Sequence, residues 1–274
     1  MRRTSAEPGR PRSCWRRGVG LRVMSTGLCL AAVVVLLGAC SDSSGDTAEG
    51  SAATVGSSET SDPVPGDEQE DSRAGEQGGP GEFRVEVWAD NWMAVYVDGE
   101  LIGQDSVPIT TERSFNAETF TFEASHPFTV AIEARDFSET ESGIEYIGEP
   151  NQQMGDGGLI AQVIDTSTGE VVAATDSQWS VLVIQRAPLN TACEDDPDPD
   201  ATCEHESTDA PTGWTEADFD DTGWDAATEW STADVAPKGG YDEIDWDPEA
   251  SLIWGGDLEV DNTVLARVTV QAPE

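Results

Sequence analysis

The chain has 274 residues, enough for one or two domains. Its 14 basic and 54 acidic residues are segregated: seven basic residues lie before Cys40, with Glu7 the one acid there, so residues 41–274 hold 7 basic against 53 acidic residues, a formal charge of −46. A chain this acidic repels nucleic-acid phosphates and anionic headgroups, which argues against any DNA or RNA role; the charge means a solvated acidic surface and also suits cation binding or life in high salt.

Leu28 to Ala39 is an apolar run of 12 residues behind a basic start. That is too short for a spanning helix, which needs about 20 residues. It reads as the apolar region of a secretory signal ending in small residues. Leu37-Gly38-Ala39-Cys40 resembles the lipobox of bacterial lipoproteins. The resemblance implies a signal peptide over 1–39, cleavage before Cys40 and diacylglycerol on the Cys40 sulfur. One acyl chain anchors only marginally, so two chains on one sulfur make physical sense. Arg16-Arg17 weakly resembles a twin-arginine export signal, but general secretion is favoured. The resemblance implies a lipid-anchored protein on the outer side of the cell membrane.

Residues 40–81 follow as the lipidated cysteine and an acidic tether. Ser, Gly, Asp, Glu and Thr dominate residues 41–81, with no aromatic residue and no apolar period. Such a segment cannot bury enough apolar surface to offset the entropy of ordering, so a disordered, charge-extended linker is expected.

Residues 82–274 are expected to fold. Eight of nine tryptophans lie here, each able to bury roughly 150–250 Å². The apolar period is two. Phe83, Val85 and Val87 alternate with polar residues; Val95 and Val97 lead into Asp98-Gly99, after which Leu101-Ile102 resumes, a hairpin signal. Phe120 and Phe122, then Phe128, Val130 and Ile132, continue the pattern. Leu159 to Ile164 and Val171 to Ala174 flank a turn at Asp165 to Gly169, and Trp179 to Ile184 and Thr263 to Val270 complete the set. No 3.6-residue apolar face is present. The expectation is one all-β domain, an antiparallel sandwich or barrel.

"WADNWMAVYVDGELIG" (88–103) resembles the strand-hairpin of galactose-binding-like jelly rolls, such as accessory domains of bacterial α-L-rhamnosidases. "GGLIAQVIDTSTGEVVAATDSQWSV" (157–181) resembles their paired central strands, "GWTEADFDDTGWDAATEW" (213–230) their Trp- and Asp-rich loop, and "LIWGGDLEVDNTVLARVTV" (252–270) the strand that usually opens such domains. The resemblance implies a jelly-roll β-sandwich with its opening strand placed last, a tolerable permutation. It speaks poorly to function, because a fold does not fix one.

Cys193 and Cys203, an exported pair ten positions apart, read as a disulfide. The loop they close carries Asp196, Asp198 and Asp200, a spacing that hard cations such as calcium use. The EF-hand match then fails, because Ala201 stands where Gly is needed and Ser207 where the bidentate Glu belongs. A solvated acidic loop and a structural calcium site are the two readings. Further acids cluster at Asp218, Asp220 and Asp221, at Asp242 to Asp247, and at Asp257 to Asp261; in the resembling loops such Asp residues cap turns.

No G-x-S-x-G, H-E-x-x-H or Gly-rich phosphate loop is present, and the two histidines are His126 and His205. No carboxylate pair can be nominated for glycoside cleavage, and the domain reads as noncatalytic. Sugar binding has a physical route, with flat aromatics stacking on pyranose faces beside Asp or Asn. The candidates are Trp92, Trp214, Trp224, Trp230, Tyr241 and Trp246, each of which has packing as its plainer role. The expected function is noncatalytic recognition of a cell-wall or extracellular glycan. The alternative is a scaffold binding an envelope protein, which a flat apolar patch or an open strand edge would favour.

Overall fold

The computed structural model describes residues 79–109 and 115–273. The expected signal peptide, Cys40 and the tether as far as residue 78 lie outside the described residues.

The period-two segments form strands. β1 (Gly81–Asp90), β2 (Trp92–Val97), β3 (Glu100–Gln104), β4 (Ala117–Ala124) and β5 (Phe128–Arg135) come first. A short hairpin follows, β6 (Ile144–Glu145) and β7 (Gln153–Met154), then β8 (Gly158–Asp165), β9 (Val171–Ala174) and β10 (Ser180–Arg186). The last third holds β11 (Glu206–Ser207), β12 (Asp225–Ala226), β13 (Thr228–Trp230), β14 (Leu252–Trp254) and β15 (Asp261–Val270). Helix among the described residues is limited to short 3-10 turns and two four-residue pieces, α1 (Pro199–Thr202) and α2 (Thr232–Val235).

Two antiparallel sheets result. One has the order β13-β14-β8-β1-β4, with β9 also on β8; the other has β11-β10-β15-β5-β2-β3, with β12 also on β10. Alternation along each strand sends every second side chain to one apolar layer. Phe83, Val85, Val87, Leu159, Ala161 and Val163 of the first sheet meet Met93, Val95, Val130, Ile132, Val264 and Ala266 of the second in a single buried cluster. The architecture is therefore all-β and sandwich-like, as the pattern of short alternating strands required.

The Asp98-Gly99 hairpin forms as its sequence demands. Both residues take positive φ, 46° and 88°, the conformation a tight two-residue turn needs and glycine supplies without strain. Asp98 Oδ1 also accepts from the Thr129 backbone N–H at 2.8 Å, pinning the turn to β5.

The Trp-rich stretch forms no strand layer of its own; it covers the outer faces of both sheets. Trp214, with Phe219 and Trp224, lies on Ala131 and Leu265 of the second sheet. Val235, with Tyr241 and Trp246, lies on Trp88, Ile160 and Leu252 of the first. Arg267, 2 % exposed, fastens the first cover. Its guanidinium donates to the backbone oxygens of Trp214 and Glu216, pairs with Asp221 at 3.1 Å and stacks on Phe219.

The segment 252–270 does not run as one strand. It breaks at Gly255-Gly256, so that β14 belongs to the first sheet and β15 to the second. Asp261 holds the corner: its Oδ2 accepts from the Asp257 N–H, its carbonyl from Trp254 Nε1, and its Oδ1 pairs with Arg186 at 2.8 Å.

The Cys193–Cys203 disulfide is formed, with Cα atoms 5.4 Å apart. It packs on Ile144, with Ile147 and Met154 beside it, and so ties the acidic loop to the β6-β7 hairpin. Gln152 Nε2 adds hydrogen bonds to the carbonyls of Glu194 and Asp196.

Candidate recognition groove and acidic pocket

Directly opposed residues of antiparallel neighbours put their side chains on the same face. One such row crosses the outer face of the second sheet. Trp92 stands opposite Arg135, Arg135 opposite Thr263, Thr263 opposite Gln185, and Gln185 opposite Ser207. Five strands thus contribute one side chain each to a line of one aromatic and four polar groups. The neighbouring part of the same face is the apolar ground covered by Trp214, Phe219 and Trp224, and the polar row lies beside that cover among the described residues.

A cleft of about 510 Å³ lies over the middle of this row, with Arg135, Gln185 and Thr263 in its floor and Ile109 and Phe137 to Glu139 in its wall. A smaller depression of about 160 Å³ continues it to Glu133, Ile184 and Ser207 and shares the same three floor residues. Arg135 is held at both ends. Its Nε donates to Glu133 Oε1 at 2.7 Å, and its guanidinium carbon lies 4.9 Å over the Trp92 ring. Thr263 Oγ1 donates to Gln185 Oε1 at 3.1 Å. Arg135, Thr263 and Gln185 are therefore held in place within the row by bonds of the protein itself.

Successive residues at a strand end point to opposite faces. Arg135 and Thr263 belong to the groove; their neighbours Asp136 and Asn262 turn inward to a second site. There Asp90, at the end of β1, meets Asp136 and Asp156, with one oxygen of each within 4.8 Å of the others. Asp90 and Asp136 are buried. Gly155 is required here: a Cβ on it would come within 1.7 Å of Asp136 Oδ2. The Asp136 N–H donates to the Asn262 carbonyl at 2.8 Å, and Asn262 Nδ2 approaches Asp136 Oδ2 at 3.5 Å. Asn91 locks the corner, its Oδ1 accepting from the Phe137 N–H.

Lys238 reaches in from the cover of the first sheet. Its Nζ lies 3.2 Å from Asp90 Oδ2 and 2.9 Å from Asp156 Oδ1. Burial, then the Asp156 charge, pushes the Asp90 carboxyl up to about 7 in spite of this lysine. Burial first, then Glu145, Asp90 and Asp156, also hold Asp136 well above the usual carboxylate range. Burial works against the Lys238 ammonium, but the charges and hydrogen bonds of Asp90 and Asp156 outweigh it and raise its pKa.

The aromatic candidates separate cleanly. Trp214 and Trp224 are cover residues on the second sheet. Tyr241 and Trp246 pack over Trp88 on the first sheet, with Trp246 Nε1 donating to the Tyr241 carbonyl. Trp230 donates to the Gly255 carbonyl and packs against both apolar layers of the first sheet. Only Trp92 of the six stands in the polar row. The acids of the loops serve their own turns: Asp220 accepts from Thr222, Asp247 from the Glu249 N–H, and Asp257 from the Glu259 N–H. Asp196, Asp198 and Asp200 do not converge; among the described residues, the one set of three such side chains that could share an ion is Asp90, Asp136 and Asp156. Asp196 Oδ1 instead accepts from the Asp198 N–H.

Sequence reading missed Arg135, Thr263, Gln185 and Ser207, and all three acids of the pocket. The local signals are faint: an Asp-Asn pair closing an apolar strand, an Arg-Asp pair closing another, and an aspartate between glycines in "GDGG". Comparison of the chain with family models, with curated proteins and with solved structures found no match.

Proposed function

We propose that residues 82–274 are a noncatalytic recognition module for a carbohydrate, bound in the groove of Trp92, Arg135, Thr263, Gln185 and Ser207. One observation carries this reading: five strands align one aromatic and four polar side chains on one sheet face, and the four polar ones line two adjoining depressions. Arg135, Gln185, Thr263 and Ser207 supply the donors and acceptors that sugar hydroxyls need. Trp92 supplies an aromatic edge to the row.

In this reading the module is a jelly roll of the galactose-binding-like type, displayed outside the cytoplasm by the acidic tether on lipid-bearing Cys40. The formed disulfide supports an oxidising compartment, where such bonds persist.

A second reading is a scaffold for an envelope protein. It rests on β3, an edge strand of the second sheet among the described residues, which carries exposed Leu101; an extended segment could pair there. The carbohydrate reading is preferred because the only large apolar residues exposed among those described are Leu101 and Leu189, too few for an apolar docking face.

The test is binding of the purified full chain, in detergent, to a panel of glycans and cell-wall polysaccharides. Saturable binding abolished by Arg135→Ala supports the groove. Binding to an envelope protein that is lost on Leu101→Lys, with no glycan bound, would favour the scaffold.

A further inference from the structure

The acidic pocket has two properties that its own ion pairs do not explain. Asp90 Oδ1, Asp136 Oδ1 and Asn262 Oδ1 are buried without a hydrogen-bond partner. Asn262 is not one of the clustered acids; it is 1 % exposed, and its Nδ2 lies 3.5 Å from Asp136 Oδ2, so that a half-turn of the amide would bring the unmet Oδ1 to the cluster in its place. Such oxygens are costly to bury unless something positive or hydrogen-donating meets them.

Asp90, Asp136 and Asp156 converge. Among the described residues one lysine reaches these three acids, and its contacts are to Asp90 and Asp156, not to Asp136.

The three carboxylates, and Asn262 with its amide turned, offer oxygens, which suits a hard cation. Calcium binds oxygens at 2.3–2.6 Å, so oxygens on opposite sides of it lie about 4.8 Å apart. One oxygen of each acid lies within that span of the other two. Asp156, with a third of its side chain exposed, opens the pocket to water that would complete the six to eight ligands calcium takes.

We propose that Asp90, Asp136, Asp156 and Asn262 form a binding site for one calcium-class divalent cation, and that Lys238 occupies the place of that charge when the cation is absent. The Lys238 side chain is 39 % exposed and sits on a flexible stem, so it can withdraw as the cation enters. Because Asp136 and Asn262 adjoin Arg135 and Thr263, the bound cation fixes the two strand ends that form the groove floor. The site stands whether or not the groove binds a sugar.

The test is calorimetric titration of calcium chloride into the chelator-treated full chain, at 150 mM sodium chloride to suppress diffuse binding to the acidic surface. The expected result is one saturable site. Its affinity falls at least tenfold in Asp156→Asn and rises severalfold in Lys238→Met. The paired variant Asp196→Asn/Asp198→Asn leaves it unchanged. If Asp156→Asn does not fold, Lys238→Met still decides, because it acts in the opposite direction. Weak multi-site binding that neither variant changes would overturn the proposal, as would loss of the site in the paired loop variant.

Discussion

Trp92 and Arg135 stand directly opposite each other on β2 and β5, and the guanidinium lies 4.9 Å over the indole ring. This contact, with the Glu133 bond behind it, sets the arginine in the polar row beside the Trp214 cover. The pair contributes little to folding. The Arg135–Glu133 bridge has an arginine side chain 41 % exposed, and ion pairs of that kind contribute about 0–1 kcal/mol.

Arg135→Ala should therefore separate binding from stability. Glycan affinity is expected to fall at least tenfold, while the urea midpoint moves by no more than about 1 kcal/mol of stability. A large loss of stability would mean that the residue serves the fold instead.

Arg267 should behave in the opposite way. It is buried, and its removal leaves Asp221 and the carbonyls of Trp214 and Glu216 without their donor. Breaking such a buried arrangement costs about 3–5 kcal/mol. Arg267→Ala is expected to lower urea stability by that order and to raise solvent exposure of Trp214, read by tryptophan fluorescence and quenching.

The strands were legible in the sequence because each carries its own evidence. Alternation at Phe83 to Val87 and Phe128 to Ile132, and Asp98-Gly99 between two apolar runs, need no distant partner to be recognised. The disulfide was legible because few cysteines compete to pair. The groove was not, because Trp92, Arg135, Gln185, Ser207 and Thr263 meet only through strand register, which depends on the whole sheet. The acidic pocket was hidden for the same reason, and by the abundance of acids: Asp90, Asp136 and Asp156 look like any others until burial distinguishes them. The D-x-D-x-D spacing at Asp196 does not bring its three side chains together, and Asp196 Oδ1 accepts from the Asp198 N–H.

Opening the disulfide should loosen the acidic loop and the hairpin beneath it. The cysteines lie ten positions apart, and closing so short a loop is worth about 3 kcal/mol in the chain-entropy description. Cys193→Ser with Cys203→Ser is expected to cost about that much or less, with hydrogen exchange rising first around β6 and β7. Protection lost evenly across both sheets would contradict a local role.

The acidic pocket gives stability a pH dependence of defined sign. Asp90 titrates near 7 when folded, against an ordinary value of 3.8, in the company of Asp136, Asp156, Glu145 and Lys238. Between about pH 4 and 7 the folded chain then holds a proton that the unfolded chain has lost, so this group's contribution to stability falls as pH rises through that window. In chelator, Asp90→Asn is expected to flatten the slope of urea stability between pH 5 and 7. An unchanged slope would remove Asp90 as its source.

The most direct measurement is equilibrium binding of the full chain and its Arg135→Ala variant to a glycan and cell-wall polysaccharide panel, with calcium and with chelator. Saturable binding of at least one polysaccharide by the full chain, weakened at least tenfold in the variant, is the expected result. Failure to bind any member in either condition, or binding that Arg135→Ala leaves intact, would contradict recognition at this groove.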